Sequence, residues 1–266
     1  MKTLAALILI AAPAWADDKE TLQQALGKVA GYESYAFKGE TEFNSQFGAG
    51  APGQVPSLDG KYQKDAGLYI KTDKGEVFRK GDRVLVKQGA AGEWTDLANF
   101  QTQTQPPTPP AGDAPKRPRG GALMGKMMLR NLKAPHEELK DLAKGFKSVK
   151  KDEKTEKIGD VDCVQYSGDL TEEAMKGSPL GRLLTQFGGA NATVNGSARV
   201  WVDTQGNVVI YETVTKATVE FQGNQIDFSL TRRSEISDVN KTKLEVPEPV
   251  QKLLSDKVKS EDKKDQ

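Results

Sequence analysis

Side chains that could perform covalent or acid–base chemistry are scarce in this sequence. It contains one cysteine, Cys163, and one histidine, His136. A serine or cysteine nucleophile usually needs an adjacent base, and His136 is the only histidine available. It follows a proline and precedes two glutamates, a pattern that predicts a solvated first turn of a helix. Cys163 lies in an alternating, strand-like segment, which predicts a small buried residue and not a reactive thiol.

Common catalytic and nucleotide-binding motifs are also absent from the sequence. There is no Walker A run, no His-Glu-x-x-His, no Gly-x-Ser-x-Gly and no zinc-type cysteine pair. No second histidine or cysteine stands near His136 at metal-ligand spacing. Carboxylates occur mostly in mixed-charge runs such as Lys150–Lys154, which are typical of a solvated face. We therefore expect no metal, no cofactor and no enzyme; a glycosidase with two carboxylates is the least supported alternative.

The first sixteen residues have the pattern of an export signal. Lys2 precedes the apolar run Leu4–Ala12 and the small-residue site Ala14–Ala16, as in a cleaved secretory peptide. The apolar run is shorter than the roughly 20 residues that a bilayer span needs. No cysteine stands at the junction to accept a lipid. We expect a mature protein that begins near Asp17 and is soluble in the periplasm or secreted.

Charge in the rest of the chain is balanced. The 38 basic residues include Lys2 of the signal, so the remaining basic residues equal the 37 acidic ones. Nucleic acid and anionic lipid surfaces are bound mainly through an excess of Lys and Arg. The sequence therefore predicts no nucleic-acid partner. Its length suits a single domain, which we place at residues 17–254.

The first half of this domain predicts a helix followed by an antiparallel meander. Leu22, Leu26 and Val29 recur at helical spacing, and the segment from Tyr35 to Phe43 alternates between apolar and polar residues. A Gly/Pro-rich loop, Gly48–Pro56, comes next. Short runs between turn signals then predict four hairpin-connected strands, at Gly60–Lys64, Leu68–Thr72, Glu76–Lys80 and Arg83–Lys87.

The middle of the chain predicts an exposed Pro-rich insertion and several helices. The insertion, at residues 101–121, is low in apolar content, as expected of an unstructured linker. Helices are predicted at Ala122–Leu132, at Pro135–Lys144 and from an N-cap at Ser178, each with an apolar stripe. Three methionines in the first of these helices suit a variable apolar site. Strands are predicted at Phe146–Lys154 and Val161–Tyr166.

The last third carries the strongest strand signal. Alternation predicts strands at Ala198–Val202, Val208–Phe221 and Ile226–Leu230. A short helix at Val250–Leu254 and a disordered charged tail at Ser255–Gln266 are expected to end the chain.

Two strand segments resemble those of a known group of proteins. Lys157–Gly168 is similar to a G-V-x-x-x-Y-x-G strand, and Ala198–Asp203 is similar to a W-V-D strand before a turn. With the order of elements, they resemble the LolA-like fold, which includes periplasmic lipoprotein carriers and the mycobacterial lipid-binding lipoproteins of the LppX and LprG type. The Pro-rich insertion departs from that pattern. The resemblance implies an α+β protein with a curved antiparallel sheet, an incomplete β-barrel whose concave face is covered by helices.

The same resemblance implies binding of acyl chains in an apolar cavity beneath the helices. The expected partner is a lipid or an acylated protein, with transient membrane contact. The alternative is an envelope protein-interaction or structural module, in which the half-barrel is fully packed and the Pro-rich loop binds a protein partner. The candidate ligand-binding residues are Phe37, Phe43, Leu68, Ile70, Leu123, Met127, Leu180, Leu183, Leu184, Phe187, Val200, Val202, Phe221 and Phe228.

Overall fold

A computed structural model describes residues 17–45, 55–99, 132–178, 181–182, 193–221 and 224–261. The predicted signal peptide, the Pro-rich insertion and the helix at Ala122–Leu132, save its last residue, lie outside these ranges. The described elements are one large antiparallel sheet and four helices, which confirms the α+β half-barrel class. The helices are α1 (Asp18–Val29), α2 (Pro135–Gly145), α3 (Glu172–Lys176) and α4 (Glu248–Glu261).

The sheet has eleven strands, and hairpins connect most sequential neighbours. In the described part of the chain β6 and β7 are its two edges, and β1 pairs with β11 at its centre. The spatial order is β6-β5-β4-β3-β2-β1-β11-β10-β9-β8-β7. The strands are β1 (Ser34–Ser45), β2 (Val55–Gln63), β3 (Gly67–Thr72), β4 (Gly75–Lys80), β5 (Arg83–Gln88), β6 (Trp94–Asp96), β7 (Lys150–Ile158), β8 (Val161–Asp169), β9 (Thr193–Asp203), β10 (Val208–Phe221) and β11 (Asn224–Ser237).

Helices α1 and α2 pack on one face of the sheet, which we call the inner face. Leu22 and Leu26 of α1 and Leu139 of α2 are fully buried in the main hydrophobic core. Local sequence explains both helix starts, because the Asp17 side chain accepts a hydrogen bond from the Lys19 amide and Pro135 occupies the first turn of α2. These two helices were predicted correctly, as were the meander and the three long C-terminal strands.

Helix α4 packs on the opposite, outer face, and this corrects the prediction at the C-terminus. Val250 is fully buried against Phe78 and Leu85 of the meander, and the Arg83 guanidinium donates a hydrogen bond to the Leu254 carbonyl at 3.2 Å. The helix is longer than the predicted Val250–Leu254 and includes the first residues of the predicted tail. The apolar outer side of β3–β5 gives this helix a docking surface that its own charged sequence does not reveal.

Several other boundaries differ from the sequence-based predictions. Strand β2 begins at Val55, inside the predicted loop, and β11 extends seven residues past Leu230 to Ser237. Phe146 does not begin a strand but makes a single bridge to Leu170, and the strand proper is Lys150–Ile158. The short elements β6 and α3 were not predicted, because three to five residues are too few to show a period.

Candidate functional site

Strand register places the predicted strand residues of the site on the inner face. Phe37 of β1 pairs with Gly60 of β2, which pairs with Ile70 of β3. On the other side, Phe37 pairs with Ile236 of β11. Paired residues project to the same face of a sheet, and residues two apart along a strand share it. By the same pairing Phe43, Leu68, Val200, Val202 and Phe228 lie on this face.

Five of these residues contribute to the packed core beneath α1 and α2. Their side chains are at most 6 % exposed and join the buried leucines of the two helices in one cluster. Space that is filled in this way leaves no room for a ligand without rearrangement. The five residues are Phe37, Leu68, Ile70, Val200 and Val202.

The other two described residues belong to a separate apolar cluster at the far end of the long strands. The rings of Phe43 and Phe228 stack with centroids 6.2 Å apart, and both are only partly buried. Among the described residues, the cluster contains strand residues only, and no residue of α1 or α2 belongs to it. We call it the distal patch; its residues are Phe43, Val194, Ala217, Val219, Phe228 and Leu230.

The remaining predicted site residues cannot be placed against this patch. Leu123, Met127, Leu180, Leu183, Leu184 and Phe187 lie outside the described residues. The backbone of Phe221 pairs with Asn224 at the end of β10, but its side chain is also outside the described part. Ser178 Oγ does accept a hydrogen bond from the Gly181 amide at 3.0 Å, which agrees with the predicted N-cap.

A charged group that sequence reasoning missed lies between the packed core and the distal patch. Arg232 of β11 donates from Nη1 to Glu138 Oε1 of α2 at 2.8 Å. Tyr211 Oη of β10 donates to Glu138 Oε2 at 2.7 Å. The Glu138 charge raises the pKa of Arg232, and burial raises the pKa of Tyr211. The sequence places an arginine, Arg232, at an inner-face position of a strand, and this could have indicated a buried ion pair. Its partner Glu138 is too distant in sequence to be identified from a local pattern.

His136 is in the first turn of α2 as predicted, but the prediction that it is solvated was wrong. Its Nδ1 lies 2.7 Å from Tyr35 Oη, and its ring is 4.4 Å from that of Tyr62. Tyr35 and Tyr62 are paired inner-face residues of β1 and β2, so docking of α2 on the sheet partly buries the histidine. Burial lowers the pKa of His136, the Glu137 charge opposes this, and Arg79 adds to it.

This environment gives a testable dependence of stability on pH. His136 has a lower pKa in the folded than in the unfolded chain, so protonation favours unfolding. The free energy of unfolding should therefore fall as the pH decreases below the unfolded value of about 6.5. Urea unfolding at pH 7.5 and 5.5 measures this loss. His136→Asn keeps an acceptor near the Nδ1 position without a titrating ring, and its loss over the same range should be smaller; an equal loss would contradict the assignment.

His136 and Cys163 lie on opposite faces of the sheet and do not form a catalytic pair. His136 contacts Tyr35 and Tyr62, and burial raises the pKa values of both tyrosines. Cys163 is fully buried on the outer face with Trp201 and Ile210, and burial raises the pKa of its thiol, so it is unsuited to nucleophilic attack. Among the described residues, no group of three or more His, Cys, Asp and Glu is placed to hold a metal ion.

An open groove of about 530 Å³ lies on the outer face, where α4 meets the meander. Leu244, Val246 and Leu254 line it, with Lys80 at its edge. None of the predicted ligand residues contributes to this groove, which is on the wrong face of the sheet for the predicted cavity. Within the described ranges, no helix has the length and hydrophobicity to cross a membrane.

Comparison with known proteins does not establish a family. No family model and no curated protein matches the sequence. A DUF1329 family protein from Desulfovibrio piger is 10% identical, with 86% of this chain and 96% of that chain covered and a TM-score of 0.25. A putative outer membrane lipoprotein-sorting protein domain from Vibrio parahaemolyticus is 11% identical, with 89% and 97% covered and a TM-score of 0.26. TM-scores this low give no information about the ligand of this chain.

Proposed function

We propose that this protein is a non-enzymatic carrier that binds an acyl chain of a lipid or an acylated protein on the inner face of its sheet. The main evidence for this proposal is the distal patch. Its phenylalanine pair and Leu230 are only partly buried, whereas the apolar residues beneath α1 and α2 are packed. An apolar surface on the inner side of a half-barrel is a suitable lining for a hydrocarbon chain.

Most of the binding energy would come from apolar burial. Each methylene group transferred from water contributes about 0.8 kcal/mol. A long acyl chain could therefore offset the several kcal/mol that association and chain ordering cost. Specific polar groups are not required, which agrees with the scarcity of functional side chains in the sequence.

The cell envelope is the compartment that we propose for this activity. The export-like pattern of residues 1–16 supports it. A lone cysteine is compatible with an oxidising compartment, because no internal disulfide can form. In the envelope, a protein with an apolar inner face could shield acyl chains from water between membranes.

The proposal is tested by titrating the purified protein with a fluorescent long-chain fatty acid. Phe228→Asp places a charge in the distal patch and should weaken binding by at least about tenfold, since it loses apolar contact and adds a desolvation cost. Val161→Asp is the matched control, because Val161 is an exposed apolar residue outside the patch, 41% accessible. Its affinity should equal that of the wild type.

Two results would contradict the carrier. One is that Phe228→Asp and the wild type bind the fatty acid with equal affinity, which would show that the ligand does not contact the patch. The other is no uptake of the fatty acid together with no lipid in native mass spectra of protein purified from its own host. Circular dichroism of each variant separates lost binding from lost folding.

The packed core beneath α1 and α2 favours a second candidate, an envelope interaction module. Leu22, Leu26 and Leu139 are fully buried there, as expected if the sheet serves only as a scaffold. In this case the partner would bind the Pro-rich segment at residues 101–121. Deletion of that segment should then abolish capture of an envelope protein and leave fatty-acid uptake unchanged, with no uptake before or after the deletion. The carrier proposal predicts uptake by both the intact and the shortened protein.

A further inference from the structure

We propose that Arg232 binds the anionic head group of the ligand, so the carrier selects single acyl chains that end in a carboxylate or a phosphate. This inference rests on the proposed function and adds the chemistry of the head group. The shared chemistry is an oxyanion attached to a long chain, which a free fatty acid or a lysophospholipid could supply.

Arg232 lies on the same strand face as the distal patch. Arg232, Leu230 and Phe228 are alternate residues of β11 and therefore share the inner face. Arg232 pairs with Thr41 of β1, two residues before Phe43. At about 3.3 Å per residue, Arg232 is roughly 13 Å from Phe228 along the strand. An acyl chain that lies on the distal patch can therefore place its head group at the arginine.

The side chain of Arg232 is mostly buried, keeps some exposed surface and is paired with Glu138. The side chain of Arg232 is 28% exposed, although Glu138 accepts from its Nη1. A guanidinium has five donors in a planar fork, and one carboxylate cannot use them all. Glu138 Oε2 already accepts from Tyr211. An oxyanion from a ligand can therefore bind beside Glu138 or replace it.

The side chains next to Arg232 favour binding of an oxyanion. Its cross-strand neighbours are Thr41 and Thr213, whose short polar side chains carry no charge. A partly buried arginine binds an oxyanion more strongly than an exposed one, because water competes less. The distal patch therefore has a cation, Arg232, next to the end that is nearer the packed core.

The test compares three probes with the same chain: palmitate, hexadecyl phosphate and hexadecanol. Isothermal titration of the purified protein should show that the two anions bind about tenfold more tightly than the alcohol, the effect expected of a charged hydrogen bond. Raising the ionic strength should reduce this preference. The tighter of the two anions identifies the source of the head group.

Two substitutions have opposite expected effects. Arg232→Gln should lower the ratio of palmitate to hexadecanol affinity to about one. Glu138→Gln removes the competing carboxylate and should raise that ratio by roughly fivefold. The double variant, neutral at both positions, should match Arg232→Gln, and thermal unfolding confirms that each protein is folded. Val161→Asp should keep the wild-type ratio.

The results of these titrations can contradict the role of Arg232 without contradicting the carrier function. Equal affinity of the wild type for the anions and the alcohol would overturn the role of Arg232 and leave the carrier standing. Binding of none of the three probes would overturn both. A ratio unchanged in Glu138→Gln would show that the ion pair is only structural and would also overturn the inference.

Discussion

Replacing Leu139 with alanine is expected to lower the free energy of unfolding by about 3 kcal/mol. Leu139 is fully buried where α2 meets α1 and the sheet. Truncation of such a leucine costs the lost transfer energy and the energy of the cavity that remains, together about 2–5 kcal/mol. Urea unfolding monitored by circular dichroism measures the change, with the slope of the transition expected to stay constant.

Lys140→Ala is the control for this prediction, because Lys140 is the next residue of the same helix and is exposed. Alanine is an equally good helix former, so its effect should remain within about 0.5 kcal/mol. A loss below about 1 kcal/mol for Leu139→Ala would contradict the packed helix–sheet interface. It would instead favour an open space beneath α2.

Replacing Gly60 with alanine is expected to cost about 3 kcal/mol for the opposite reason, overpacking. An added Cβ would lie 2.1 Å from Cζ of the Phe37 ring, which is itself buried in the core. The ring has no free space into which it can move, so the backbone of β1 or β2 must shift. Thermal or urea unfolding of the variant measures the loss.

A matched glycine and a double variant sharpen this test. Gly27 is in α1 with open space around the position of an added Cβ, so Gly27→Ala should stabilise the protein by up to about 1 kcal/mol. Phe37→Leu combined with Gly60→Ala should cost less than the sum of the two single changes, because the smaller side chain makes room. Additive losses would contradict a direct contact.

Much of the sheet could be predicted because apolar and polar residues alternate along most of its strands. The alternation from Tyr35 to Phe43 predicts β1, and the turn residues after Lys64 and Thr72 separate the strands of the meander. Strand β7 was placed too early because all but its last residue are exposed and charged or polar. It has no apolar period, and its pairing with β8 alone makes it a strand.

The candidate site was only partly predictable, because its parts are joined by tertiary contacts. Strand periodicity correctly assigned Phe37 and Phe43 to one face, but the position of α2 decides that one is packed and the other partly exposed. The contact between Glu138 and Arg232 depends on the same docking. No local pattern links a helix start to a strand at the other end of the chain.

Methyl NMR can show directly whether an acyl chain binds at the distal patch. We would titrate the methyl-labelled protein with palmitate and compare three sets of assigned signals. We expect large shifts for Leu230, Val194 and Val219 of the distal patch. The signals of Leu22, Leu26 and Leu139, which lie in the packed core with α1 and α2, should change little. Shifts confined to the outer groove, at Leu244, Val246 and Leu254, or no shifts at all, would contradict it.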